Sequence, residues 1–168
     1  MTPAPADLAA LLRRVELMED KWQILELIAA YGPAVDSGSA DGTAALWSED
    51  GEYDVDSGML RGRAEVRAMV GSAPHQGFIT NGSAHLIGLP HVEVDGDRAV
   101  AIGHSQLVLK VPGTTAQFHV ARITANRWEL VKTGGRWQVR RRVARLLDGR
   151  PEARELLGGV VTGSEGRD

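Results

Sequence analysis

Apolar residues recur at helical spacing in the first part of the chain, with Ile24, Leu27, Ile28, Tyr31 and Val35 on one stripe. No proline or glycine interrupts residues 7–31, so one long helix is predicted, or two joined near Leu17. The stretch LELIAAYGPAVDSGSAD then sets Gly32-Pro33 between Tyr31 and Asp36. Pro33 removes a backbone donor and its ring clashes with the carbonyl of Ala29, at a cost of roughly 3 kcal/mol in a straight helix interior. The helix therefore either ends near Tyr31 or kinks there. In SADGTAALWSEDGEY, Ser39 or Asp41 is placed to cap a short helix ending before Asp50-Gly51. GEYDVDSGMLRG reads as a short strand and turn, and RAEVRAMVGS as a helix closed by Gly71.

After SAPHQGFITNGS, read as a loop of mostly small residues, the pattern turns to strands. HVEVDGDRAVAIGHSQLVLKV alternates about Asp95-Gly96, a two-residue hairpin signal. Pro112 opens the next turn, QFHVARITANRWELV is a long strand, and Gly134-Gly135 centres a second hairpin. Helices first and a meander of long antiparallel strands afterwards predict an α+β fold, with helices covering one face of a curved sheet. Residues 1–150 are expected to form a single domain and residues 151–168 a partly disordered tail.

Composition narrows the class. At 168 residues the chain is long enough for one real core, and its 43% hydrophobic and 24% charged shares are those of an ordinary globular protein. No apolar run approaches the ~18–20 residues of a membrane span. The opening MTPAPADLAALLRR lacks a basic leader followed by a continuous apolar core, so no secretory signal is expected. The absence of cysteine rules out disulfides, thiol nucleophiles and thiolate metal sites, and fits a cytoplasmic location. The net charge of −3 hides a cluster: Arg136, Arg140, Arg141, Arg142, Arg145 and Arg150 crowd into one short segment. With an acidic overall balance and only Trp137 for stacking, that run reads as a solvated strand face or subunit contact rather than a nucleic-acid site.

Five histidines, His75, His85, His91, His104 and His119, are the candidate reactive groups. A metal site finds little support. HExxH is absent, His85 and His91 would lie ~20 Å apart on an extended strand, and His104 and His119 lack a neighbouring carboxylate. No metal or cofactor is expected, and no GxGxxG, GxxxxGK[ST] or GxSxG motif is present. General acid/base chemistry fits better. A neutral histidine accepts a proton at working pH, and a carboxylate behind it fixes its tautomer.

Four segments together resemble the SnoaL-like branch of the nuclear transport factor 2-like superfamily: LMEDKWQILELIAAYGPAVDSGSADGTAALWSEDGEY, GMLRGRAEVRAMV, SAHLIGLPHVEVDGDRAVA and GGRWQVRRRVARLL. That branch includes scytalone dehydratase, bile-acid dehydratase, hexachlorocyclohexane dehydrochlorinase and polyketide cyclases. The resemblance spans roughly Val15 to Leu147. It implies a cone-shaped α+β barrel, a curved antiparallel sheet wrapped around the long N-terminal helix, with an apolar pocket at the open end. It also implies site residues: Tyr31 and Asp36 late in the helix, His85 before the VEVDGD hairpin, and Arg142 in the last strand. Arg140 or Arg141 takes the place of Arg142 if one residue bulges. His104 would be a secondary polar group in the pocket, Trp47 and Tyr53 its wall or core, and Phe78 a closing side chain in the loop before His85. In a straight helix Tyr31 and Asp36 stand about 140° apart. A break at Gly32-Pro33 is therefore expected to turn Asp36 toward His85.

The implied activity is a cofactor-independent lyase, dehydratase-like, acting on an apolar cyclic small molecule such as a steroid or polyketide. His85 held by Asp36 would abstract the proton, with Tyr31 and Arg142 steadying the developing negative charge. A polyketide cyclase or isomerase using the same groups is the second enzyme reading. A noncatalytic ligand-binding protein, or one like a dioxygenase small subunit, is the reading from another class. Relatives with this site are often homotrimers and others are dimers, so a homo-oligomer is expected, a trimer with sheet backs in contact favoured over a dimer, with neither nucleic acid nor membrane as partner.

Overall fold

The computed structural model describes residues 5–162. A 32-residue helix, α1 (Pro5–Asp36), is followed by α2 (Ala40–Ala45), β1 (Trp47–Val55), β2 (Gly58–Arg61), α3 (Gly62–Gly71) and α4 (Ala73–Asn81). Then come β3 (Ser83–Ile87), β4 (His91–Asp95), β5 (Arg98–Lys110), β6 (Phe118–Thr133), β7 (Arg136–Leu146) and α5 (Pro151–Thr162). The strands form one curved, unclosed sheet in the order β2-β1-β7-β6-β5-β3, with β4 also paired to β5. All pairs are antiparallel except β1 with β7, which departs from a purely antiparallel meander. The parallel pair arises because β1 enters from α2 and joins the far side of the last strand, where no hairpin constrains its direction.

The predicted stripe of α1 is the core face: Ile24, Ile28, Tyr31 and Val35 are buried, together with Trp128, Leu130 and Val139 from the sheet. Removing each such aliphatic side chain from water contributes about 1.5–3 kcal/mol. The helix is anchored at Asp20, whose Oδ1 accepts hydrogen bonds from Lys132 Nζ at 2.6 Å and Trp137 Nε1 at 2.9 Å. Burial pulls the Asp20 carboxyl upward, but these two donors outweigh it and hold the group below its ordinary range.

Three expectations change. Of the two readings at Pro33, a helix end near Tyr31 or a kink, the first is overturned, since the helix continues to Asp36 with Pro33 inside it. The segment read as a loop around Phe78 is α4, which the interior Gly77 and poor helix formers conceal until His75 is buried under it. The expected disordered tail includes α5, which begins on Pro151 at its first position and buries Ala153 against the sheet, so it belongs to the domain. The rest of that tail, residues 163–168, lies outside the described residues. Among the described residues no helix is long and apolar enough to cross a membrane.

Candidate active site

A cavity of about 520 Å³ opens between the end of α1, the α3–α4 pair and the concave face of β5, β6 and β7. Its wall is largely apolar, with Met59, Leu60, Met69, Ile87 and Leu107, and its volume falls within the range of small-molecule sites.

Asp36 and His85 meet at this cavity from elements 49 positions apart. Asp36 Oδ1 lies 2.7 Å from His85 Nδ1, and Asp36 Oδ2 accepts the His85 backbone N–H at 2.7 Å. A carboxylate serving both groups fixes the ring as the Nδ1–H tautomer. Nε2 then keeps its lone pair, and no other group of the described chain hydrogen-bonds it. Gly32 makes this approach possible. A Cβ placed on Gly32 would overlap the His85 carbonyl oxygen, so only glycine lets β3 lie this close to the helix. On the helix surface Gly32 sits between Tyr31 and Asp36, at about 100° from the first and 40° from the second. His85 seated on that gap reaches both: its ring packs edge-on to Tyr31 at 6.3 Å between centroids while its Nδ1 meets Asp36. Asp36 thus meets His85 from within a helix that continues through Pro33.

His75, from α4, stacks on His85 with centroids 5.5 Å apart and planes 22° from parallel. It is 6% exposed and lines the cavity. Its Nε2 lies 3.4 Å from the Val35 carbonyl, an acceptor only, which places the proton on Nε2. Burial, with the neighbouring His85 adding to it, holds His75 below its ordinary value of 6.5. Because the unfolded chain binds that proton more readily, the stability His75 contributes is complete above about pH 6.5 and is lost as pH falls below it. Urea unfolding from pH 7.5 down to 5 should therefore show the wild type losing more stability than His75→Phe. Parallel curves for the two proteins would refute a neutral, buried His75.

Arg142 forms the floor. Cross-strand pairing sets it beside Trp128 of β6 and Tyr53 of β1, and Tyr31 of α1 covers it. The guanidinium carbon stands 4.1 Å from the Trp128 ring centroid, 4.3 Å from Tyr31 and 4.6 Å from Tyr53, a three-sided cation–π contact. Nε and Nη2 donate to Asn126 Oδ1 at 3.0 and 2.7 Å. Asn126 Nδ2 in turn donates to Ser105 Oγ at 2.9 Å and Thr124 Oγ1 at 3.1 Å. Arg142 is 2% exposed, has no carboxylate partner among the described residues, and its Nη1 lacks a well-aligned acceptor. A desolvated cation held only by a neutral amide and aromatic faces strongly favours any anion that forms beside it. Burial, reinforced by Tyr53 and opposed by Arg142, pushes the Tyr31 hydroxyl above the ordinary phenol range, so Tyr31 stays protonated as a donor.

The choice among the three arginines is resolved by a bulge. Glu129 pairs with Arg141 but Leu130 with Val139, leaving Arg140 as the extra residue. Arg140 and Arg141 turn outward to Asp50 and Asp54, at 3.3 Å each, and Arg142 turns in. Tyr53 and Phe78 line the cavity, Phe78 from α4 rather than from a loop. Trp47 does not line it. Fully buried and edge-on to Tyr31 at 5.9 Å, it lies in the core behind that ring. His104 is also displaced: its neighbour Ser105 takes the inward position on β5, and His104 is exposed on the other face. Sequence reasoning counted His75 among the five histidines but gave it no place in the site, and it missed Ser105, Thr124 and Asn126. For the last two a signal existed, since Thr124 and Asn126 fall at period two with Trp128 on a face that must be buried. His75 carried none.

Known proteins share this fold. A structure of a nuclear-transport-factor-2-like protein with a cystatin-like fold from Novosphingobium aromaticivorans is 42% identical, covers 92% of this chain and 99% of its own, and superposes with a TM-score of 0.86. ActVI-ORFA from Streptomyces coelicolor is 18% identical over 77% of this chain and 96% of its own, with a TM-score of 0.67. A provisionally assigned scytalone dehydratase from Novosphingobium aromaticivorans is 18% identical over 80% of this chain and 87% of its own, with a TM-score of 0.65. These last two likenesses concern the fold alone. None of the curated proteins matches the sequence significantly. The model of the SnoaL-like domain matches residues 16–143, which hold Asp36, His85 and Arg142, and the chain belongs to that family within the nuclear transport factor 2-like superfamily.

Proposed function

We propose that this protein is a cofactor-independent lyase, dehydratase-like, that removes a proton from carbon in an apolar cyclic small molecule. The observation that supports the reading is the Asp36–His85 pair on the cavity wall, in which Nδ1 is engaged by the carboxylate and Nε2 is the ring nitrogen left to act as a base. Proton transfer by a positioned imidazole contributes typically ~10²–10⁴-fold in rate. The abstracted proton resides on Nε2, the resulting imidazolium is neutralised by Asp36, and negative charge moves onto a substrate oxygen. Arg142 and the Tyr31 hydroxyl, which line the same cavity, are the groups that favour that oxyanion and assist departure of hydroxide. A neutral His75 stacked on His85 adds no like charge to oppose protonation.

Ring closure by a cyclase uses the same proton abstraction and differs only in the fate of the carbanion. An open cavity with these groups gathered on its wall favours either enzyme reading over a purely structural subunit, in which side chains would fill the cone. A cytoplasmic location belongs to this reading.

Two measurements test it. The ¹⁵N shifts of the His85 ring should report the Nδ1–H tautomer in the wild type and a gain of Nε2–H in Asp36→Asn. A wild-type ring protonated at Nε2 while neutral would rule His85 out as the base. In deuterium oxide, cyclic ketones bearing a β-hydroxyl should gain deuterium beside the carbonyl and then lose water. With an open-chain diketone, whose second carbonyl can accept the carbanion, deuterium gain followed by ring closure would identify the cyclase.

A further inference from the structure

Among the described residues nothing covers residues 7–19 of α1. Residues 7–19 are all exposed, and the sheet takes hold of the helix only at Asp20. Isolated helices of fewer than ~12–15 residues are marginal in water, so a segment of this length calls for a partner. It also carries a face suited to one. Leu8, Leu11, Val15, Met18 and Trp22 recur at alternating spacings of three and four, and they are 51%, 54%, 43%, 69% and 62% exposed. At 100° per residue this stripe centres about 150° from the buried stripe of Ile24, Ile28, Tyr31 and Val35. The chain's own sheet lies on the other side and cannot reach it.

We infer that this stripe is a self-pairing surface through which two copies of the chain associate by a parallel, in-register pairing of their α1 helices. Charge selects both the occupant and the direction. Beside the stripe lie Asp7, Arg14 and Lys21 on one flank and Leu12 and Glu19 on the other, all at positions that face across a helix pair. In a parallel pair Arg14 of each copy meets Glu19 of the other, twice by the two-fold axis. In an antiparallel pair the flank carrying Asp7, Arg14 and Lys21 would face itself and set Arg14 against Arg14 or Lys21, with Asp7 and Lys21 as its one attractive combination. Neither Arg14 nor Glu19 has an ion-pair partner within the described chain. Because the stripe points away from the sheet, the two domains lie on outer sides of the helix pair and leave both cavities open. A sheet-back trimer would leave this stripe in water.

The chain has no cysteine, so single-cysteine variants report the pairing cleanly. The wild type is expected to sediment at twice the 18.0 kDa chain mass at micromolar concentration. Under mild oxidation Leu8→Cys alone and Trp22→Cys alone should each form disulfide-linked dimers, while Arg13→Cys, on the opposite side of the helix, should not. Leu11→Asp with Met18→Asp should weaken self-association by at least ~10-fold while thermal unfolding of the domain stays cooperative. A monomeric wild type, a trimer or other oligomer indifferent to these substitutions, or cross-linking only when the Leu8 and Trp22 variants are mixed would each overturn the inference.

Discussion

His85→Gln is expected to abolish measurable proton abstraction, with a loss of about 10²–10⁴-fold in kcat/KM, because the glutamine amide has no basic lone pair to replace Nε2. Glutamine is close enough in volume to sit on the Gly32 gap, and the backbone N–H of residue 85 still donates to Asp36 Oδ2, so the thermal midpoint should move little. Asp36→Asn should reach a loss of similar size by a different route. Its amide nitrogen can donate to Nδ1, which drives the proton to Nε2 and turns the base into a donor. The two losses should not add, since both remove one function. Deuterium exchange in the single and double variants measures this directly. If exchange persists at wild-type rate in His85→Gln, the base lies elsewhere.

Gly32→Ala carries the second large effect, and its sign is opposite to the usual one. In an ordinary helix interior the change stabilises by up to ~1 kcal/mol, because glycine loses more freedom on folding. Here the added methyl meets a backbone carbonyl of β3 rather than a flexible side chain. Overpacking of this kind costs typically ~1–3 kcal/mol, which exceeds the propensity gain. The relief is a shift of β3 away from α1, which stretches both hydrogen bonds from His85 to Asp36. A displacement of ~1 Å at a reacting group costs on the order of 10²-fold in rate. Urea unfolding and exchange assays should therefore show Gly32→Ala both less stable and at least tenfold slower. A variant that is more stable and fully active would show that β3 tolerates the methyl and that Gly32 does not set the site.

Periodicity alone determined much of this protein: the α1 stripe, the hairpins at Gly96 and Gly134-Gly135, and the order of helices before strands are local properties written at period 3.6 or 2. The α+β class followed from that order, and the four family-like segments named the residues, Asp36 and His85, that the fold joins across 49 positions. Other features depended on what arrives from far along the chain. Pro33 reads as a helix stop or a kink until tertiary contacts hold the last turn in place, and Gly77 reads as loop until the cavity roof gives α4 a face to bury. Which arginine turns inward depended on a single bulged residue, and whether His104 or Ser105 faces the cavity depended on strand register, where a shift of one reverses every side chain. His75 had no local mark at all, because its stacking on His85 exists only once α4 closes over β3. Local propensity thus settled which segments become helix or strand, whereas the direction each side chain faces, and so the chemistry of the site, was decided by packing between segments distant in sequence.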